Sequence, residues 1–123
     1  MASPIGGRAR RADRAVQQSR LECGLRVIEG HEPGLGQRWV HGVAELSPGF
    51  LRFNPRGPLR SPTTIVVRGV SRAHQRQPHG REAWAVNAQC RIVEVQTPNA
   101  TLEWAILDRH LAWAIEAVRR QGD

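Results

Sequence analysis

Alternating apolar and polar residues run through most of the chain and predict β-strands. In the first such stretch, residues 21–28, every second residue is apolar, so that one face of the strand carries Leu21, Cys23, Leu25 and Val27. The same period of two predicts six further strands, at 38–46, 50–53, 63–74, 84–86, 89–97 and 101–107. Turn-forming segments such as residues 47–49 (Ser-Pro-Gly) separate them. We therefore expect seven short antiparallel strands.

The period changes at Asp108, close to the end of the chain. From there, apolar residues recur every three or four positions, as on one face of a helix: Leu107, Leu111, Ala114, Ile115 and Val118. Asp108 is a suitable N-cap, and Arg119 and Arg120 lie where a helix dipole favours cations. The last strand is thus predicted to lead directly into a helix over 108–118 that covers the strands.

Seven strands followed by one helix predict a mainly β fold with one C-terminal α-helix. This element order is typical of a pleckstrin-homology-like barrel of about seven antiparallel strands. The length of 123 residues suits one domain, which we place at 21–120. Residues 1–20 carry almost no large apolar side chain, so we expect a flexible basic N-terminal arm. A membrane- or nucleic-acid-binding role for this arm stays open.

The net charge of +7 is unevenly distributed along the chain. Residues 1–20 hold five arginines and one aspartate, and residues 52–81 hold seven arginines and no acid. All 18 basic residues are arginine. Because arginine fills every basic position, its choice at any one position says little about bidentate phosphate recognition. The informative feature is the concentration of charge in two stretches.

Four arginines of the second basic stretch form a candidate anion- or lipid-binding site: Arg52, Arg68, Arg72 and Arg76. The spacing of the last three places them on one face of the predicted strand that starts at residue 63. Such a strip could hold anionic headgroups or a nucleic-acid backbone. The alternative is a solvated outer strand face in a protein that uses arginine throughout.

Tryptophans give the second candidate site. Trp84 and Trp104 alternate with polar or small residues, so we expect both in the core. Trp113 lies away from the apolar face of the predicted helix, near Arg109. We predict that Trp113 and Arg109 bind a partner, the alternative being that Trp113 packs on the rim of the sheet.

The sequence offers no catalytic or metal-binding motif, and we expect no cofactor and no small-molecule substrate. The five histidines and the acids form no ligand pattern. Cys23 and Cys90 are expected to be small core residues in a reduced, cytoplasmic protein. No apolar run is long enough to cross a bilayer, and the chain does not start with a secretory signal.

Three segments carry a resemblance to a known family: residues 23–26 (Cys-Gly-Leu-Arg), 37–44 (Gln-Arg-Trp-Val-His-Gly-Val-Ala) and 49–53 (Gly-Phe-Leu-Arg-Phe). They resemble an actinobacterial family of uncharacterised pleckstrin-homology-like domains, usually membrane-anchored, over roughly residues 21–118. The resemblance implies the pleckstrin-homology-like fold, no established activity and no catalytic residues. This chain departs from the family in having the arginine-rich 1–20 instead of a transmembrane helix. It also lacks an aromatic after Ala44 and a Pro-Gly ending.

These observations favour a non-enzymatic interaction module. The leading hypothesis is docking at an anionic membrane surface, at the inner face of the plasma membrane, or at an anionic protein. One alternative is a protein–protein scaffold through the C-terminal helix face. Another is non-specific nucleic-acid binding by charge, which is less favoured because residues 54–83 contain no Phe, Trp or Tyr on which bases could stack.

Overall fold

The computed structural model describes residues 19–57 and 60–119. They form seven strands: β1 (Arg20–Gly30), β2 (Val40–Ser47), β3 (Phe50–Pro55), β4 (Thr63–Val66), β5 (Gly69–Arg76), β6 (Cys90–Gln96) and β7 (Ala100–Leu107). Two helices accompany them, α1 (Glu82–Ala85) and α2 (Asp108–Val118). The predicted mainly β fold with a C-terminal helix is confirmed. The predicted arm at 1–20 lies outside the described residues except for its last two.

All seven strands belong to one antiparallel sheet in the order β4-β3-β2-β1-β7-β6-β5. Strand β1 is the link, because it pairs with β2 over Arg20–Leu25 and with β7 over Gly24–Gly30. The expectation of a closed barrel is not met, since β4 and β5 remain edge strands. Between them the backbone turns a corner: Val67 N–H donates to Gly49 O, and Arg68 N–H donates to Gln96 O.

The sheet is folded so that both halves contribute to one core. Strands β1–β4 supply Leu25, Leu51 and Phe53, and strands β6 and β7 supply Val95 and Trp104. Because strand residues alternate between faces, the inner faces of the two halves meet around this core. Their outer faces therefore point away from each other.

Helix α2 covers the open side of the core with its apolar face. Its buried residues include four of the five predicted ones: Leu111, Ala114, Ile115 and Val118. The fifth, Leu107, ends β7 and packs, partly buried, against a separate apolar cluster with Cys90 and Ile92. Asp108 does not cap the helix: Leu107 is the N-cap residue and no side chain caps it, while Asp108 lies in the first turn. At the other end, the Gly49 N–H donates to the Val118 carbonyl at 2.8 Å. This bond joins the end of the helix to the β2–β3 turn.

Residues 77–89, which we call the strap, fold over the outer face of β1, β7 and β6. Val86 of the strap packs with three outward-facing strand residues, Cys90, Ile92 and Ala105, in a small second apolar cluster. Gly24 of β1 makes room for this layer, since a Cβ there would lie 3.3 Å from the Trp39 ring.

Two of the predicted strands were wrong. The segment 84–86, expected to be a strand, belongs mostly to α1, and Trp84 is 92% exposed, whereas Trp104 is fully buried as predicted. The stretch 63–74, expected to be one strand, is divided into β4 and β5 by the corner at residues 67–68. Both segments contain residues of the candidate sites, so these differences change where those side chains lie.

Candidate functional site

Four charged side chains meet beneath the strap and form what we call the charge cluster: Arg26, Arg76, Glu82 and Glu103. Arg26 donates to Glu103 Oε1 from Nε at 2.8 Å and from Nη2 at 2.5 Å. Arg76 donates to both carboxylates, at 2.6 Å and 2.9 Å to Glu82 and at 3.0 Å and 3.1 Å to Glu103. The four residues come from four different elements, β1, β5, the strap and β7, and the two arginines neutralise the two glutamates.

Trp39 completes the surroundings of the charge cluster. Its indole N–H donates to Glu82 Oε2 at 3.2 Å, and the Arg26 guanidinium carbon lies 4.9 Å from the centre of its ring. The hydrogen bonds from Arg76, opposed by burial and helped by the His79 backbone N–H, lower the pKa of Glu82 to about 2. Those bonds also raise the pKa of Arg76. Glu82 is therefore ionised at neutral pH, and the formal charges of two arginines and two glutamates balance.

Arg76, predicted to bind anions, is therefore a structural residue that already has two carboxylate partners. The predicted common face of Arg68, Arg72 and Arg76 also fails. Ser71 pairs with Glu94 and Arg76 pairs with Ile92, so five residues of β5 are matched against only two of β6. This irregularity breaks the two-residue alternation, so the three arginines do not form one strip. Arg72 is exposed.

Two other predicted residues, Arg52 and Arg68, lie beside an exposed apolar pair. Phe50 and Val66 face each other across β3 and β4, 43% and 37% exposed. Arg52 follows Phe50 by two residues on the same outer face, and Arg68 follows Val66 by two residues at the corner. We call these four residues the basic–apolar patch. Within residues 19–57 and 60–119 neither arginine has an ion-pair partner, although Glu45 lies opposite Arg52 in the ladder.

Trp113 and Arg109, the predicted partner-binding residues, lie on α2. Trp113 is half-buried and packs against the main core, which agrees with the rim-packing alternative. Arg109 is exposed on the first turn and lines a shallow pocket of about 350 Å³ with Arg91, Asp108 and Cys90. Arg91 donates to Asp108 at 3.3 Å at this pocket.

Neither thiol is placed for nucleophilic chemistry. Burial raises the pKa of Cys23 to about 12. Burial likewise raises the pKa of Cys90 to about 11. Since the thiolate is the reactive form, both side chains are inert core residues at neutral pH. In the described ranges, no three His, Cys, Asp or Glu side chains are grouped so that they could hold a metal ion.

Sequence reasoning missed the charge cluster and the exposed Trp84. One signal was present for the cluster: Glu103 interrupts the apolar strand β7 between Leu102 and Trp104, and it is buried. A buried carboxylate needs a partner, but the partners lie far away in sequence, and nothing in their spacing identifies them. No helix in the described part of the chain is long and apolar enough to cross a membrane.

The architecture defines a mainly β protein with one open antiparallel sheet and a covering C-terminal helix. Comparison of the chain with models of protein families, with curated proteins and with solved structures found no match.

Proposed function

We propose that this protein is a non-enzymatic module that docks on an anionic membrane surface through the basic–apolar patch. The observation that carries the proposal is the juxtaposition of an exposed aromatic–aliphatic pair with two arginines that form no ion pair within the described residues. An apolar pair can enter the interface between headgroups and acyl chains, while guanidinium groups contact the headgroup phosphates.

The strand framework supports this use of the patch. Phe50 and Val66 are held in register by the β3–β4 ladder, so little backbone order has to be gained on binding. A basic residue near an anionic bilayer contributes about 1 kcal/mol, and less at high salt. Two or three arginines and one inserted aromatic would give weak, reversible binding. The arginines of residues 1–18, outside the described part, would add to it.

We also propose that the fold is pleckstrin-homology-like and related to the membrane-anchored family that the sequence resembles. Seven antiparallel strands in a meander, with β1 shared by two halves and a C-terminal helix over the open side, support this relation. The scaffold alternative through Trp113 has less support, since that side chain is half-buried against the core.

The test is co-sedimentation with vesicles of neutral lipid alone and of neutral lipid mixed with phosphatidylserine, at low and physiological salt. Arg52→Gln with Arg68→Gln should lower binding to the anionic vesicles about tenfold, and Phe50→Ser should lower it by a similar factor. The matched control is Arg38→Gln, an exposed arginine before β2, at the opposite end of the β2–β3 hairpin from Phe50.

Equal losses per arginine removed, for the patch variant and for Arg38→Gln, would mean that only net charge matters and would contradict the proposal. Complete competition by duplex DNA would move the assignment to a general polyanion surface. Binding that survives the patch variant would move it to another part of the chain.

A further inference from the structure

We propose that the strap carries a second docking surface, made by Trp84 and Arg81, that takes an acidic protein segment bearing an apolar side chain. This surface is separate from the basic–apolar patch, and it does not depend on the proposed membrane function.

The first observation is that Trp84 is exposed on a firmly held element. Glu82 and Val86 lie four residues apart and anchor one side of the short helix, Glu82 in the charge cluster and Val86 in the second apolar cluster. Trp84, two residues from each, is turned about 200° away from them and is 92% exposed. Trp84 is therefore exposed because the contacts of Glu82 and Val86 turn the opposite side of the helix towards the sheet.

A large aromatic fixed in this way has the properties of a binding hot spot. Tryptophan dominates such positions in protein interfaces because it offers a large contact area with few rotatable bonds. Here both neighbours that fix its backbone are tied to the sheet, so little conformational order has to be gained on binding. Arg81, three residues earlier, lies on the same side of the helix and is exposed.

The charges around Trp84 decide what kind of partner fits. Glu82 is the only acid of the strap, and Arg76 and Arg26 neutralise it. Arg81 has no ion-pair partner among the described residues. The electrostatic potential around Trp84 is therefore positive. A second copy of this +7 chain would bring like charge. Electrostatic complementarity therefore favours an acidic partner.

The position of the strap argues against a shared bilayer contact. The strap covers the outer face of β1, β7 and β6, while the basic–apolar patch lies on the outer face of β3 and β4. Both inner faces meet at one core, so these outer faces point in different directions. A flat membrane that contacts Phe50 leaves Trp84 directed away from it, where a protein can reach it.

The experiment is selection from a displayed library of random peptides on the wild-type protein, with counter-selection on Trp84→Ala. Enriched sequences should combine Asp or Glu with a Leu, Phe or other apolar anchor. Synthetic peptides of these sequences are then titrated by calorimetry. Trp84→Ala should weaken binding about 30-fold, as for a hot spot of about 2 kcal/mol. Arg81→Gln should weaken it several-fold and flatten its dependence on salt.

Two controls separate this proposal from the membrane function. Arg52→Gln should leave peptide affinity unchanged, and Trp84→Ala should leave vesicle binding unchanged. Trp84→Phe, which keeps an aromatic surface, should retain part of the affinity, and circular dichroism should show that each variant is folded.

The proposal is overturned if no peptide discriminates wild type from Trp84→Ala, or if the enriched peptides carry no acids. Loss of vesicle or single-stranded DNA binding in Trp84→Ala would overturn it in favour of a bilayer or nucleic-acid surface. Self-association in sedimentation that disappears with Trp84→Ala would overturn it in favour of a second copy.

Discussion

The two outer faces of the folded sheet use arginine in opposite ways. Over β1, β7 and β6, Arg26 and Arg76 lie under the strap with two glutamates, and about a quarter of each guanidinium side chain is exposed. Over β3 and β4, Arg52 extends into solvent from a bare sheet. The same residue type is a structural connector on one face and a candidate ligand contact on the other.

What distinguishes the two faces is the supply of acids from other elements. Glu103 of β7 and Glu82 of the strap converge on Arg76, although residues 52–81 contain seven arginines and no acid. A count of charges along the sequence therefore overstates the positive surface.

Removing Glu103 should have the largest effect. Glu103→Ala leaves Arg26 with the 3.3 Å contact to Glu82 and the Trp39 ring, and it takes two hydrogen bonds from Arg76. Loss of one partner of a largely buried pair costs several kcal/mol, so we expect the free energy of unfolding to fall by about 2–4 kcal/mol. Urea unfolding followed by circular dichroism measures it. Glu45→Ala, an exposed acid of the bare face, should change it by less than about 0.5 kcal/mol.

The charge cluster should also be sensitive to acid through Glu82. Its pKa is lowered from 4.5 to about 2 in the folded protein, so its contribution is complete above about pH 4.5 and disappears as the pH falls towards 2. Each pKa unit corresponds to about 1.4 kcal/mol. Allowing for residual exposure, we expect Glu82→Gln to cost about 2 kcal/mol at pH 7.

The measurement for Glu82 is the difference in unfolding free energy between wild type and Glu82→Gln as a function of pH. That difference should shrink steadily between pH 4.5 and pH 2. A difference independent of pH would show that the carboxylate charge is not what fastens the strap.

Arginine substitutions on the two faces should affect opposite properties. Arg76→Gln should lower the free energy of unfolding by about 1–2 kcal/mol while leaving binding to anionic vesicles close to that of wild type. Arg52→Gln should lower vesicle binding and leave stability within about 0.5 kcal/mol. Parallel urea unfolding and co-sedimentation measure both. If both variants lost vesicle binding equally, the contrast between the faces would not hold.

The smallest change in stability is expected for Trp84→Ala, within about 0.5 kcal/mol of wild type, because the side chain is 92% exposed. The same substitution should remove much of the tryptophan fluorescence that iodide quenches, since Trp104 is fully buried and Trp39 and Trp113 are half-buried. A large loss of stability would indicate that Trp84 packs within the fold.

The sequence predicted well where local period and burial agree. The alternation in β1 and the change of period at Asp108 correspond directly to a strand and a helix, because both elements bury one continuous face. It failed at 84–86, where three residues cannot distinguish strand from helix. There, the anchoring of Glu82 and Val86 determines the conformation. Arg76 was grouped with Arg52 and Arg68 because nothing in the sequence places Glu103, 27 residues later, against it.

The corner at residues 67–68 was unpredictable for a similar reason. Residues 63–70 contain no proline and only one glycine, after the corner, so no turn signal marks the break, and backbone bonds to Gly49 and Gln96 divide the stretch into two strands. The basic–apolar patch could not be predicted either, because Phe50 and Val66 become neighbours only through the register of β3 and β4.

The double pairing of β1 has a consequence for how this protein is made. Its first half pairs with the next strand, but its second half pairs with β7, more than 70 residues later. Such distant contacts slow folding, because the loop between them must close before they form. During synthesis, the half of β1 that includes Val27 stays without its neighbour until residues 100–107 have left the ribosome. We expect the nascent chain to remain incompletely folded, and open to chaperones, until its last strand emerges.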